Sequence, residues 1–311
     1  MSKPKILLVH KSIKYRINME LFTKEVDIVD TAKEADLFLC CNDAPKELRK
    51  NKCIIACSEP PLSYSRIYLY SNANNFHSTF LSNPDKSSRI QFPLSPSNTP
   101  QVFPYSPGLI RSLERKDTTI TERKIYYAGA TNKYRKDARI FSSINLYPAR
   151  EQLVKFFERE YSDKSCILGK GWKKETKLNK INPRPAKQEE IIKFNCDFVL
   201  ALENSMQPNY ISEKIHDGLT SDRVTLYLGD PGITKRIPKN CFIDLMPYFD
   251  KKTARFTKSG MDAILNRIKT ITQKEYDDIL INSRRFRKSI EGKHEEEMVK
   301  LTEAIVKRIK G

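Results

Sequence analysis

No stretch of this 311-residue sequence approaches the roughly 20 consecutive apolar residues that a membrane-spanning helix requires. The longest apolar runs, such as Lys5 to His10, are the length of a strand. Met1-Ser2-Lys3-Pro4 leads straight into one of them, with no h-region and no small-residue cleavage site, so a cytoplasmic location is expected. Metal-binding patterns are missing as well. His10, His77, His216 and His294 form no HxxxH arrangement, Cys53 and Cys57 lack a CxxC spacing, and no second pair completes a zinc site. No metal site is expected. The seven cysteines (Cys40, Cys41, Cys53, Cys57, Cys166, Cys196 and Cys241) are odd in number and lie mostly in apolar runs. They read as small buried hydrophobes in a reducing compartment. There is a single Trp, yet a hydrophobic share of 39% supplies a substantial core and argues against disorder.

What the sequence has in excess is positive charge, 56 Lys and Arg against 38 Asp and Glu, a formal net charge of +18. Such a surplus implies an anionic partner: a phosphate-bearing ligand, a membrane surface or nucleic acid. The clusters at Lys46–Lys52, Arg111–Lys124, Lys170–Lys180 and Arg284–Lys288 are separate and mostly interleaved with acids. That distribution describes a generally basic surface, not one nucleic-acid-binding stripe. A nucleic-acid-binding protein is therefore the alternative that rests on charge alone.

Buried strands are expected at Lys5–His10, Ala35–Cys41 and Lys52–Cys57, separated by polar segments of helical length, which is an alternating α/β pattern. From Ser58 to about Pro107 the pattern dissolves into Ser, Asn and Pro and reads as a linker. A second α/β unit follows. Strands are expected at Arg123–Gly129, Ser165–Gly169, Asp197–Leu202, Val224–Leu228 and Asn240–Asp244, with helices at Pro148–Glu160, Gln188–Phe194 and Asn209–Leu219. Basic amphipathic helices, Met261–Lys269 and Gln273–Lys310, close the chain, and there is no internal repeat. The expected organisation is two Rossmann-like domains facing across a cleft, residues 1–118 and 119–270, with a basic helical segment at 271–311. Open α/β sheets bind ligands beyond the carboxyl ends of their strands, so chemistry is expected just after Cys57, Gly129, Leu202 and Gly229.

The most informative window is Asp197 to Ile215. A buried strand ends at Leu202 and delivers Glu203-Asn204-Ser205 to the crevice; Pro208 and Asn209 then open a helix, with Asn209 as its expected N-cap. The unpaired N–H groups of a helix start suit a phosphate. Lys214, one turn in, would add a full positive charge, and Glu213 would accept hydrogen bonds from sugar or ribose hydroxyls. An ordinary solvated Glu-Lys pair is the competing reading.

Leu202-Glu203-Asn204-Ser205 and Tyr210-Ile211-Ser212-Glu213-Lys214 resemble the signature of the α-(1,3)-fucosyltransferase family, glycosyltransferase family 10, which reads F-E-N-S, a short gap, then Y-[IV]-[ST]-E-K. Downstream, Tyr227-Leu228-Gly229-Asp230-Pro231, Ile237–Ile243 and Phe249 resemble the next block of that family. Leu202 stands where the family carries an aromatic, and Arg223-Val224-Thr225-Leu226 replaces a more apolar strand. The resemblance implies a GT-B fold, a GDP-fucose donor and an inverting mechanism with no cofactor and no obligatory metal. It also implies that residues 1–118 bind the acceptor and 119–270 the nucleotide sugar. Carried over residue by residue, Asn204, Tyr210, Ser212, Glu213 and Lys214 line the donor site, and Arg150, in Tyr147-Pro148-Ala149-Arg150, meets the phosphates. Glu59, in Ser58-Glu59-Pro60-Pro61, resembles the glutamate of an E-S-P segment and would be the catalytic base, on a loop that the prolines stiffen. A glycan or lipid-linked glycan acceptor, another nucleotide sugar in place of GDP-fucose, and peripheral contact of the basic C-terminal helices with anionic membrane are the accompanying expectations.

Overall fold

The structure is a computed structural model that describes residues 2–8, 18–41, 53–56, 76–79, 114–129, 139–140, 143–169, 172, 184–206, 211–290, 299, 302–303, 306–307 and 309. The chain forms two compact units, residues 1–107 together with 292–311, and residues 108–291.

The first unit carries β1 (Lys5–Leu8), α1 (Met19–Glu25), β2 (Asp27–Val29), β3 (Leu37–Cys41), β4 (Cys53–Ala56) and β5 (Phe76–Thr79). Every strand is parallel, in the order β2-β1-β3-β4-β5. The side chain of Asn18 caps α1 by accepting from the Leu21 amide at 3.0 Å. Phe22 then packs against Ile6, Val26, Leu39 and, from the far end of the chain, Val306. The Asn18 amide also donates to the Thr302 hydroxyl at 2.8 Å, so the C-terminus packs on this unit. Two of these strands go beyond the sequence expectation. β2 has only three residues, and β5, Phe-His-Ser-Thr, shows no apolar alternation and lies inside the stretch read as a linker.

The second unit runs β6 (Ile125–Ala128), β7 (Arg139–Ile140), β8 (Ser143–Asn145), α2 (Tyr147–Glu160), β9 (Ser165–Leu168), α3 (Arg184–Lys193), β10 (Phe198–Leu202), β11 (Ser205–Met206), α4 (Glu213–Thr220), β12 (Val224–Leu228), β13 (Ile243–Asp244), β14 (Phe249–Asp250), β15 (Arg255–Phe256), α5 (Lys258–Thr270) and α6 (Gln273–Ser289). Its five-stranded sheet is again parallel, ordered β9-β6-β10-β12-β13. Counted from the first strand of each sheet, both units therefore have the doubly wound order 2-1-3-4-5. Every residue of β10 and β12 is buried, because a central parallel strand is covered on both faces. The alternation in β6 divides the two layers. Ile125 and Tyr127 join Leu153, Phe157, Ile264 and Leu280 on one face, while Tyr126 joins Ile191, Cys196 and Val199 on the other.

Three sequence expectations are corrected. The helix expected from Asn209 begins at Glu213, with Ser212 as its N-cap in extended conformation (φ −102°, ψ −176°). A hydroxyl that accepts from the Lys214 amide outcompetes an upstream start, and Lys214 consequently lies in the first turn of α4 instead of one turn inside it. The strand expected over Asn240–Asp244 shortens to two residues, since Lys239–Cys241 forms a 3-10 turn. The helix expected over Gln273–Lys310 is interrupted: it ends at Ser289, and helix is described again at residues 299, 302–303, 306–307 and 309. Its apolar face, Tyr276, Ile279, Leu280 and Phe286, is buried in the second unit.

Asp222, at φ +56°, fastens α6 to the sheet. Its carboxylate accepts from Nε (3.0 Å) and Nη2 (2.5 Å) of Arg284, from Nη2 of Arg287 (3.0 Å) and from the Arg115 amide (2.7 Å). Among the described residues no helix is long and apolar enough to cross a membrane.

Candidate active site

The order of the second sheet reverses between β6 and β10, and a crevice opens at the carboxyl ends of the two strands on either side of such a reversal. β6 runs into Gly129 and β10 into Glu203; β12, beside β10, runs into Gly229. Both glycines stand two residues after a tyrosine, in Tyr127-Ala128-Gly129 and Tyr227-Leu228-Gly229. Residues two apart share a face of a strand, so each tyrosine leans over its own glycine. A Cβ on Gly129 would lie 2.6 Å from the Tyr127 hydroxyl and 2.8 Å from Nη2 of Arg150. A Cβ on Gly229 would fall on the Tyr227 hydroxyl and on Cγ of Glu203. Neither position has room for a side chain.

Arg150 reaches this crevice from the first turn of α2. Strand β8, immediately before α2, pairs antiparallel with β11, and the Leu146 amide donates to the Asn204 carbonyl at 3.1 Å, which ties the helix start to the Glu203-Asn204-Ser205 turn. A cation at a helix N-terminus is opposed by the dipole, and a buried one also loses hydration. Arg150 is nevertheless only 4% exposed. Its Nε and Nη2 donate to the Tyr127 hydroxyl at 3.2 and 2.8 Å, and its Nη1 donates to Oδ1 of Asn204 at 2.6 Å. The guanidinium also stacks 4.5 Å from the centre of the Tyr147 ring. These three bonds use three of the five N–H donors of an arginine and leave two. Both acceptors are neutral, and among the described residues no carboxylate forms an ion pair with Arg150. Burial works against its charge, but Tyr127, Tyr147 and Glu203 more than offset this and hold the guanidinium above its ordinary pKa.

On the other side of the same turn, Glu203 is fully buried. Oε1 accepts from the Ser212 amide at 2.7 Å and Oε2 from the Ser212 hydroxyl at 2.5 Å. That hydroxyl accepts in turn from Nζ of Lys214 at 2.9 Å, and Nζ lies 3.6 Å from Oε2 of Glu203. The carboxylate therefore holds the first turn of α4 against the end of β10. Burial raises the pKa of Tyr227 well above the ordinary phenol value, with Glu203 adding to the effect, so its hydroxyl is a neutral acceptor for the Asp230 amide at 3.0 Å.

Of the residues expected from sequence, Arg150 and Asn204 are joined directly, and Ser212 and Lys214 form a second group that Glu203 links to the first along the backbone. Glu213 is the first residue of α4, with only its backbone described. Glu59 and Tyr210 lie outside the described residues. Tyr127, Tyr147 and the anchoring role of Glu203 were not anticipated. The repeated Tyr-x-Gly at two strand ends is the signal that would have found the first of these.

Residues 130–258 match the sequence model of the glycosyltransferase family 10 (fucosyltransferase) C-terminal region. Comparison with curated proteins gives no match. Among solved structures, the crystal structure of an alpha1,3-fucosyltransferase is similar with a TM-score of 0.54 and 16% identity, over 90% of this chain and 81% of that one. A second, an alpha1,3-fucosyltransferase with GDP-fucose, has a TM-score of 0.49 and 15% identity over 90% and 82%. At such identities the first likeness speaks for the fold, and the chemistry rests on the matched segment, which contains Arg150, Asn204, Ser212 and Lys214. With a family 10 sequence pattern over residues 130–258 and the fold of an alpha1,3-fucosyltransferase, the protein is a glycosyltransferase whose second unit carries the fucosyltransferase-like segment.

Proposed function

We propose that this chain transfers L-fucose from GDP-fucose to a hydroxyl of a glycan acceptor, in a single inverting displacement that requires no metal ion. The observation that carries the reading is Arg150, a buried cation whose two hydrogen-bond acceptors among the described residues are neutral and which keeps two N–H donors beyond them. A buried charge with no counter-ion of its own is complemented by an anionic ligand, and a guanidinium fork matches a phosphate bidentately. Lys214 and the amides at the start of α4 supply further positive potential across the turn. The family 10 match supports the choice of fucose as the sugar.

In this reading Glu59 takes the proton of the acceptor hydroxyl as its oxygen bonds to the anomeric carbon. The bond from that carbon to the diphosphate oxygen breaks on the opposite side, and GDP departs with the bonding pair. Arg150 and Lys214 stabilise the charge that grows on the leaving diphosphate, the part a metal ion plays in other enzymes. Asn204, Tyr210, Ser212 and Glu213 complete the donor site, with Glu213 accepting from ribose or fucose hydroxyls. The acceptor is a glycan or lipid-linked glycan, and the location is cytoplasmic. A membrane contact would draw on basic side chains other than Arg284 and Arg287, which are engaged with Asp222, and not on Tyr276, Ile279, Leu280 or Phe286 of α6, which are buried.

Calorimetry against GDP, UDP, CMP and their sugars tests the donor. GDP and GDP-fucose are expected to bind, with UDP and CMP at least tenfold weaker. Preference for UDP or CMP would assign the same fold another nucleotide sugar, and steeply salt-dependent nucleic-acid binding without GDP binding would favour the rival class. Glu59→Gln is expected to abolish transfer with GDP affinity nearly intact; retained turnover removes Glu59 from the mechanism.

A further inference from the structure

We propose that Glu203 is a positioning residue for the donor site: by accepting the hydrogen bond of the Ser212 hydroxyl it leaves the lone pairs of that oxygen to Lys214 and so seats the ammonium. The inference rests on the nucleotide-diphosphate reading of the site and deepens it.

A serine hydroxyl has one proton to donate and two lone pairs to offer, and its rotor follows its partners. A carboxylate only accepts. With Oε2 of Glu203 at 2.5 Å, the Ser212 proton is committed to Glu203. The lone pairs are thereby left for Lys214, whose Nζ donates at 2.9 Å and whose amide donates the longer capping bond at 3.4 Å. Oε1 meanwhile holds the Ser212 amide at 2.7 Å, so neither the backbone nor the side chain of the cap can rotate away. The arrangement is shielded: the side chain of Glu203 is 0% exposed and that of Lys214 15%. The close approach of Gly229 to Cγ of Glu203 holds the carboxylate from behind. Lysine carries a flexible stem with a point charge at its end, and it needs such an anchor to present its charge at one place.

Glutamine at position 203 keeps the shape but reverses the polarity. Its carbonyl oxygen must face the Ser212 amide, which turns its NH2 group toward the Ser212 hydroxyl. The hydroxyl proton is then left without an acceptor, and the negative charge beside Lys214 is gone. Glu203→Gln is therefore expected to weaken GDP binding about tenfold by acting through Lys214.

The test is a double-mutant cycle read by calorimetry with GDP on the full chain: wild type, Glu203→Gln, Lys214→Ala and the double variant. The expected result is a roughly tenfold rise in Kd for Glu203→Gln in the wild-type background and no further rise on top of Lys214→Ala. Donor kcat/KM should fall by at least the same factor, with kcat lowered too, because Lys214 also stabilises the charge that grows on the leaving diphosphate. Ser212→Ala, which breaks the relay one atom along, is expected to match Glu203→Gln and serves if that variant does not fold. A GDP Kd within twofold of wild type, or an equal loss in the Lys214→Ala background, overturns the proposal. A wild-type chain that binds no GDP overturns the nucleotide reading itself, and this inference with it.

Discussion

Replacing Arg150 with lysine separates charge from geometry at the centre of the proposed site. The guanidinium serves two acceptors on different edges, Tyr127 through Nε and Nη2 and Asn204 through Nη1. A lysine has one nitrogen at the end of its stem and satisfies one of them. When the ammonium stays with Asn204, the buried Tyr127 hydroxyl loses both of its guanidinium donors, at a cost of about 1–3 kcal/mol. For a unit of this size, that corresponds to a fall of roughly 2–12 °C in melting temperature. The ligand loses one arm of a bidentate pair as well. A hydrogen bond to a charged group contributes about 1.5–3 kcal/mol, which is a GDP Kd weaker by about 10- to 150-fold. Differential scanning calorimetry of the free protein and titration with GDP separate the two effects. A lysine variant that melts with wild type and binds GDP equally well would refute the fork geometry; one that melts lower but binds equally well would make Arg150 purely structural.

Gly229→Ala is expected to cost about 1–3 kcal/mol through overpacking of the buried Tyr227 and Glu203, read by chemical denaturation, and to weaken GDP binding because Glu203 anchors Ser212 and Lys214. A variant with wild-type stability would show that the strand end has slack. Asp222→Ala strands Arg284 and Arg287 beside each other without their shared carboxylate and should destabilise by about 3–5 kcal/mol; Asp222→Asn, which tolerates the positive φ and keeps an acceptor, should cost less. Equal losses for the two would remove the charge argument. Burial pushes the thiol of Cys196 up to about 12 and that of Cys241 up to about 11. Both should resist alkylation of the folded protein at pH 8.5, where an ordinary cysteine is about half thiolate, and should react on unfolding. Site-resolved mass spectrometry that finds either labelled first would contradict their burial.

How much was legible beforehand differs between elements for physical reasons. β6, β10 and β12 were read within a residue or two because an inner strand covered on both faces must be apolar along its length, and such a run stands out in the chain. β7, β8 and β11 were not, since two or three residues carry no periodicity and exist only where another segment completes their hydrogen bonds. The same holds for the cap of α4. Both Asn209 and Ser212 are good N-cap residues in isolation, and what favours Ser212 is a carboxylate nine residues earlier, which the fold brings to its amide.

By itself the sequence determined the α/β class, the order of its long elements, and the residue types able to meet a diphosphate, because burial and hydrogen-bonding capacity belong to each side chain wherever it sits. Tertiary structure alone decided which of those side chains meet. Arg150 finds Asn204 across fifty-four positions, and Glu203 finds Ser212 across nine, because a doubly wound sheet gathers the ends of its strands at one edge. Hydrogen bonds act over about 3 Å, and no spacing along the chain specifies a distance of that kind.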